Sequence, residues 1–131
     1  MNLSVTRAGF LTSVQDLGRN GFRRFGVSFG GALDRHALRV ANLLIGNDES
    51  DAGLEITLGG LRMRLEDTRV IAWCGGEFDV RVGSTPLPAG HSCLLDADDE
   101  LTIQPTEDWL SRVADDFRRD RCPSCARQPI Y

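Results

Sequence analysis

The sequence predicts a mainly β protein, a barrel or sandwich of short strands with one main helix. Apolar and polar residues alternate over several short runs, which is the pattern of half-buried strands. Turn signals rich in glycine, proline and aspartate separate these runs at intervals of roughly 8–12 residues, a spacing typical of all-β sandwiches and barrels. Residues 34–45 have the apolar spacing of a helix instead.

The predicted strands begin near the N-terminus and resume after the helix. Residues 2–7 alternate in character, and residues 11–14 form a second short strand that ends before Asp16. The later strand candidates, in order, are residues 54–58, 61–65, 70–74, 78–82, 92–95 and 101–103. Gly59-Gly60 and Gly75-Gly76 are turn signals between neighbouring candidates.

The helix is predicted from an apolar stripe and from local signals at both ends. The stripe consists of Ala37, Leu38, Ala41, Leu44 and Ile45. Asp34 suits the N-cap position, where its carboxylate accepts an otherwise unpaired backbone N–H. Gly46 suits the position just past the helix end. Asn42 lies off the stripe, on the polar side.

Composition and charge exclude several classes of protein. The chain has 131 residues and a formal net charge of −4. An acidic balance argues against nucleic acid as the main partner, because phosphate binding usually shows as a basic patch. No apolar run approaches the ~18 residues that a membrane span needs, and the N-terminus lacks the pattern of a signal peptide. We therefore expect a cytoplasmic protein with no nucleic-acid or membrane partner.

The glycine-rich stretch 18–31 is the strongest sign of a functional loop. It contains glycine at positions 18, 21, 26, 30 and 31, together with arginines and aromatic residues. Glycine tolerates positive φ and close approach of another backbone. A long irregular loop inside a compact domain is uncommon and is usually functional.

A collinear series of motifs resembles the opening of a known family. The motifs are Thr12-Ser13-Val14-Gln15-Asp16-Leu17-Gly18-Arg19, Gly26-Val27, Gly31-Ala32-Leu33-Asp34, Ala37-Leu38-Arg39-Val40-Ala41-Asn42, Gly46-Asn47 and Leu54-Glu55-Ile56-Thr57-Leu58. They are similar to the N-terminal part of the biotin-dependent carboxyltransferase family, also called allophanate hydrolase subunit 2. That family includes the C subunit of bacterial 5-oxoprolinase, the antagonist of a sporulation-kinase inhibitor, and part of the carboxyltransferase domain of urea carboxylase.

The resemblance implies a cyclophilin-like architecture and a role beside a partner of the allophanate hydrolase subunit 1 type. It implies a component of an ATP-dependent amide hydrolase of the 5-oxoprolinase kind, or of a urea- or allophanate-metabolising carboxyltransferase. The substrate would be a small amide or urea-like molecule. ATP or biotin would enter through partner subunits, with neither bound by this chain alone. The alternative is a truncated, non-catalytic binding or regulatory module that docks the partner subunit.

The resemblance covers residues 1–104, and residues 105–131 read as a divergent C-terminal tail. Members of the family are roughly twice as long as this chain or more, whereas one domain usually has ~100–200 residues. Within the loop, Ser28 and Phe29 stand where the family tends to have prolines, and Gly30 stands where it tends to have serine. A half-domain exposes apolar strand edges that can pair with a second copy, so the sequence also allows a homo-oligomer.

Asp16 and Arg19 are candidate catalytic residues in the turn after the second strand. The planar fork of an arginine suits a substrate carboxylate, and Asp16 would fix its orientation. The alternative is a local salt bridge between the two, typically worth less than ~1 kcal/mol. Composition favours the salt bridge, and the family resemblance favours the functional role.

The loop and the helix supply the candidate substrate-binding residues. Gly30 and Gly31 precede the helix and are expected to present free amides to a substrate anion, in addition to forming a tight turn. Asn42 is either a hydrogen-bonding anchor for substrate or an ordinary surface residue. Asp34 reads as a cap rather than a base.

Glu55 is the third candidate catalytic residue, and its surroundings are left open by the sequence. Period-two alternation places it opposite Leu54, Ile56 and Leu58. If that face is the interior of a barrel, the carboxylate is paired or shifted in pKa and suits proton transfer. If the face meets water, Glu55 is an ordinary surface residue.

No metal site is predicted. His36 and His91 lie in polar surroundings without a ligand partner at metal-binding spacing, and a single C-x-x-C pair, Cys122 and Cys125, needs a second pair of ligands to bind zinc. Cys74 and Cys93 would have to converge on it, and both read as small core residues instead.

Overall fold

A computed structural model describes residues 3–107. This part of the chain contains nine strands, one α-helix and one 3₁₀ turn. In chain order they are β1 (Leu3–Ala8), β2 (Leu11–Gln15), the 3₁₀ turn (Arg23–Phe25), α1 (Arg35–Leu44), β3 (Gly53–Thr57), β4 (Leu61–Leu65), β5 (Arg69–Ala72), β6 (Phe78–Val82), β7 (Thr85–Pro86), β8 (Ser92–Leu95) and β9 (Glu100–Pro105). The prediction of a mainly β protein with one main helix is confirmed.

The strands form three separate antiparallel sheets. The largest has the order β1-β4-β9-β6-β7, and two ribbons pair β2 with β3 and β5 with β8. Within residues 3–107 these sheets do not close into one barrel. The strands are nevertheless short and separated by turns, as the alternation and the turn signals indicate.

The core lies on one face of the five-stranded sheet. Leu61, Met63 and Leu65 of β4 are buried while the arginines between them are exposed, as period-two alternation requires. Leu61 pairs with Ile103 of β9, so neighbouring strands bury the same face. The buried apolar cluster comprises Leu61, Met63, Leu65, Val80, Leu87, Leu95, Leu101 and Ile103. Each such side chain contributes roughly 1.5–3 kcal/mol relative to an exposed one.

Helix α1 begins and ends where the sequence predicts, but two of its side chains differ from the predicted stripe. Asp34 is the N-cap, and its Oδ1 accepts the N–H of Ala37 at 2.9 Å. Asn42, expected on the polar side, is the buried residue of the helix, whereas Leu44 of the predicted stripe is 37% exposed. The surface alternative for Asn42 is therefore wrong. Its Nδ2 donates to the Asp51 carbonyl at 2.7 Å, which holds the connection to β3 against the helix.

Strand β3 also departs from simple alternation. Leu54 and Leu58, which the alternation places on the same side as Ile56, are 37% and 41% exposed. Leu58 lies beyond the strand end, with φ of +62°. Strand β3 pairs only with β2, and the face of this ribbon that carries Leu54 is only partly covered, since Ile56 on the same face packs against the core.

The predicted boundary between residues 104 and 105 falls inside β9, which ends at Pro105. The rest of the predicted tail, including Cys122 and Cys125, lies outside the described residues apart from positions 106 and 107. No helix in the described part is long and apolar enough to cross a membrane.

Candidate functional site

The site is built on the ribbon of β2 and β3. In their antiparallel register Ser13 lies opposite Glu55, and Gln15 lies opposite Gly53. Because side chains alternate along a strand, Ser13, Gln15 and Glu55 share one face of the ribbon, and Val14 belongs to the other face. Gln15 Nε2 donates to Ser13 Oγ at 3.1 Å. One face of the ribbon therefore carries a short row of polar groups.

Glu55 connects this row to the segment that precedes the helix. Its Oε1 accepts the backbone N–H of Leu33 at 2.8 Å. The side chain is half-buried, so neither alternative for Glu55 describes it fully: it is neither enclosed in a barrel nor simply solvated. A fixed carboxylate with one oxygen in a hydrogen bond keeps its second oxygen for another group.

The two ends of the glycine-rich loop cross at Gly18 and Gly31. Both residues have φ near +80°, the left-handed region that favours glycine. A Cβ placed on Gly31 would lie only 2.4 Å from the backbone nitrogen of Gly18. Two hydrogen bonds frame the crossing: the Arg19 N–H donates to the Phe29 carbonyl at 2.9 Å, and the Ala32 N–H donates to the Asp16 carbonyl at 2.8 Å.

The Asp16 carboxylate shapes the first arm of this crossing. Its Oδ1 accepts the N–H of Gly18 at 2.7 Å, an aspartate turn that leads the chain into the loop. Four ion pairs occur among residues 3–107, and none involves Asp16 or Arg19. The local salt bridge considered for these two residues is thus absent, and so is the expected contact by which Asp16 would orient Arg19. The exposed Arg19 guanidinium is free of partners within the described chain.

Gly30 and Gly31 lie on the second arm. Within residues 3–107 neither amide donates a hydrogen bond to the protein, in contrast to the N–H groups of Ala32 and Leu33 that follow them. A Cβ on Gly30 would meet no atom within 4 Å. The position at which the resembling family tends to have serine therefore opens into unoccupied space.

Asn42 and Asp34 both have structural roles, and for Asp34 this is the predicted one. Asn42 Oδ1 accepts from Asn47 Nδ2 at 3.3 Å, and its Nδ2 is bonded to Asp51, so its amide is occupied inside the protein. Nothing in the described contacts joins Asn42 to the crossing, and its role in substrate binding stays a prediction. Asp34 caps the helix, and its Oδ2 lies 3.4 Å from where a Cβ of Gly75 would stand.

Ser13 and Gln15 are polar members of the ribbon face that the sequence did not single out. Their alternation with Val14 was a usable signal, since it places both on one side of a strand. The sequence did not predict that Ser13 lies opposite Glu55, because these residues are more than forty positions apart and their pairing depends on the strand register.

The groups whose pKa is shifted lie away from the crossing and the ribbon of β2 and β3. Hydrogen bonds from the Arg69 guanidinium lower the pKa of Asp67, and two hydrogen bonds from Ser50 lower the pKa of Asp48. Among residues 3–107, no three His, Cys, Asp or Glu side chains are grouped as ligands for a metal ion.

The fold and the glycine crossing together define a β-rich domain with a preformed loop, and comparison with known proteins gives its class. Residues 25–112 match the family described as "Carboxyltransferase domain, subdomain A and B". The chain belongs to this family. This match confirms the family resemblance that the motifs from Thr12 to Leu58 indicated.

Individual relatives show the same relationship. The chain is 43% identical over 102 residues to the 5-oxoprolinase C subunit of Escherichia coli K12, covering 78% of this chain and 33% of that protein. It is 35% identical over 105 residues to a putative urea carboxylase of Emericella nidulans, covering 79% of this chain and 8% of that protein. The crystal structure of Kluyveromyces lactis urea carboxylase superposes with a TM-score of 0.76 and 31% identity, covering 80% of this chain and 9% of that one. The chain therefore spans about a third, or less, of these relatives.

Proposed function

We propose that this chain is a component of an ATP-dependent amide hydrolase of the 5-oxoprolinase type, acting with a partner subunit of the allophanate hydrolase subunit 1 type. The observation that carries the proposal is the 43% identity to the 5-oxoprolinase C subunit over 102 residues. A role in a urea- or allophanate-metabolising carboxyltransferase is the second candidate, favoured by the likeness to the Emericella nidulans and Kluyveromyces lactis proteins. In both cases the substrate is a small amide or urea-like molecule.

The crossing and the ribbon supply complementary groups for such a substrate. We propose that the unpaired guanidinium of Arg19 binds an anionic group through its planar fork of donors. The amides of Gly30 and Gly31 donate to oxygen, where they stabilise negative charge that develops as an amide or ureide carbonyl is attacked. The loop thus provides hydrogen-bond donors from both a side chain, Arg19, and the backbone, Gly30 and Gly31.

Proton transfer is assigned to a carboxylate. We favour Glu55 over Asp16, because Glu55 shares its face with Ser13 and Gln15, where a planar amide group finds both donors and acceptors. Asp16 is exposed, and its Oδ1 already holds the turn at Gly18. Asp16 then acts as a positioning residue for the loop.

Cofactor chemistry is assigned to partner subunits. The sequence contains no lysine, so biotin cannot be attached to this chain through a lysine amide, and the lysine of a phosphate-binding P-loop is also missing. We propose that ATP or biotin, where the complete enzyme uses one, enters through partner subunits.

The test is a reconstitution assay. The chain replaces its relative in the Escherichia coli 5-oxoprolinase: it is added to the companion subunits of that enzyme, and 5-oxoproline-dependent and urea-dependent ATP hydrolysis are measured. We expect activity above that of the companion subunits alone, and an Arg19→Ala variant to lose most of the increase. Equal activity with and without the chain would refute the enzymatic role.

A non-catalytic docking module is the alternative function. The observation in its favour is that Gly30 stands where the resembling family tends to have serine, so a side chain that could take part in the chemistry is missing. Binding to the companion subunits without any gain in ATP hydrolysis would establish this alternative over the first.

A further inference from the structure

The glycine-rich loop concentrates positive charge in an acidic protein. Residues 17–33 contain three arginines and no aspartate or glutamate, although the whole chain has a net charge of −4. Arg23 and Arg24 lie in the 3₁₀ turn at the far side of the loop from the crossing. The four ion pairs among residues 3–107 use other arginines. The guanidinium groups of the turn are therefore left without a carboxylate in the described chain.

The same turn exposes large apolar side chains. Phe22 is 51% exposed and Phe25 is 66% exposed, and Arg24 lies over the Phe25 ring with its guanidinium carbon 4.7 Å from the ring centroid. Aromatic and arginine side chains are the residue types that carry most binding energy at protein interfaces. Clustered exposed apolar residues also mark interaction sites rather than ordinary surface.

Backbone contacts close the loop at its base and at its tip. Its base is fixed by the crossing of Gly18 and Gly31, and its tip is closed by the Gly26 N–H, which donates to the Arg23 carbonyl at 3.0 Å. Gly26 has φ of +75°, which glycine adopts without strain. A preformed docking element loses less conformational entropy on binding than a disordered one.

We propose that residues 22–25, the cationic aromatic tip, dock into a companion subunit at an apolar groove rimmed by carboxylates. This inference rests on the proposed function and names the part of the chain that meets the partner. Charge complementarity selects the partner's chemistry: two arginines without a carboxylate partner, beside two exposed phenylalanines, match carboxylates beside an apolar surface. The net charge of −4 disfavours a nucleic acid, and it also makes two copies of this chain repel each other.

Binding to the companion subunits of the Escherichia coli 5-oxoprolinase tests the proposal. The affinity of the unchanged chain is compared with that of Arg23→Glu/Arg24→Glu and of Phe22→Ala/Phe25→Ala. We expect each pair of changes to weaken binding by about tenfold or more, because both remove interface anchors. The affinity of the unchanged chain should also fall as salt is raised toward ~1 M, where screening shortens to about 3 Å.

Matched variants separate the tip from general surface effects. Arg7→Glu/Arg62→Glu makes the same change in net charge at two exposed strand positions, and Phe10→Ala removes a phenylalanine that is 75% exposed outside the loop. Both controls should bind like the unchanged chain. Circular dichroism and thermal unfolding of every variant confirm that the fold is kept.

The outcomes distinguish this inference from the proposed function. If the unchanged chain stimulates ATP hydrolysis and the tip variants bind equally well, the docking assignment is overturned while the function stands. If the unchanged chain does not bind, both fail. Sedimentation showing a dimer of this chain that Arg23→Glu/Arg24→Glu dissociates would replace the companion subunit with a second copy. Oligonucleotide binding abolished by the same variant would likewise overturn the proposal.

Discussion

Gly31 shows how a single residue makes the loop possible. It combines a φ of +82° with a backbone contact that leaves no room for a Cβ, which would lie 2.4 Å from the Gly18 nitrogen. Gly21 has nearly the same φ, +85°, but its added Cβ would meet nothing within 4 Å. Comparing substitutions at Gly31 and Gly21 therefore separates the cost of backbone strain from the cost of a steric clash.

We expect Gly31→Ala to destabilise the protein much more than Gly21→Ala. A left-handed alanine costs roughly 1–2 kcal/mol, and this cost is common to both variants. The clash at Gly31 should add at least about 1–3 kcal/mol, because one backbone segment must move away from another. Urea unfolding gives both values. Equal losses of stability would show that the crossing tolerates a side chain.

Glu55 combines a structural hydrogen bond with the proposed transfer of a proton. Glu55→Gln keeps an oxygen that accepts the Leu33 N–H but removes the charge and the basic oxygen. We expect the unfolding free energy to fall by only about 1 kcal/mol, because a neutral acceptor replaces a charged one in the same hydrogen bond. Stimulated ATP hydrolysis should fall by about 10²–10⁴-fold. Glu66→Gln, at an exposed position before β5, serves as the control. Full activity of Glu55→Gln would exclude Glu55 as the proton-transfer group.

At the scale of elements, α1 depends on a polar side chain for its attachment to β3. Buried Asn42 donates to the Asp51 carbonyl and accepts from Asn47, so it ties the helix end to the following connection. Removing one partner of a buried hydrogen bond costs about 1–3 kcal/mol. We expect Asn42→Ala to lose this much in urea unfolding and Asn20→Ala, at an exposed loop position, to be neutral. A neutral Asn42→Ala would mean that the connection is held by other contacts.

The elements also show which parts of the fold were predictable. Strand β4 was predictable because one of its faces is buried and the other is exposed to solvent. The Asp34 cap was predictable because its hydrogen bond joins residues within one helical turn. Asn42 was misplaced because a pattern of apolar residues counts asparagine as polar, whatever hydrogen bonds it satisfies. The inner face of β3 was left open because alternation gives the side of a strand on which Leu54 lies, but not whether anything covers that side.

The candidate site was predictable in its residue types but not in its geometry. Glycines, Arg19 and Glu55 were visible in the sequence, and so was the anion-binding chemistry that such groups share. The hydrogen bond from Leu33 to Glu55 and the contact of Gly18 with Gly31 join positions that are distant along the chain. The first depends on the position of β3 beside β2, a register that periodicity within one strand does not give. The second closes a loop of irregular backbone, which no periodic pattern describes.

At the scale of the whole molecule, the ribbon of β2 and β3 has one face that is only partly covered. Val14 pairs with Leu54 and Thr12 pairs with Ile56 on that face. Ile56 packs against the core, whereas Val14 is 71% exposed and Leu54 is 37% exposed. The chain spans about a third of the Escherichia coli relative, so an uncovered apolar face is consistent with a part of a larger assembly.

We expect Val14→Thr/Leu54→Thr to reduce association of the isolated chain without unfolding it. Threonine has the β-branched shape that suits a strand. Val14, which is 71% exposed, has little buried area to lose, and Leu54, which is 37% exposed, should lose less than a fully buried leucine. Binding of a hydrophobic dye and concentration-dependent light scattering should both decrease, with a midpoint of thermal unfolding close to that of the unchanged chain. Ile56→Thr lies on the same face but contacts the core, so it should cost on the order of 1–3 kcal/mol. If Val14→Thr/Leu54→Thr destabilises the chain as much as Ile56→Thr, the face is covered in solution by another part of this polypeptide.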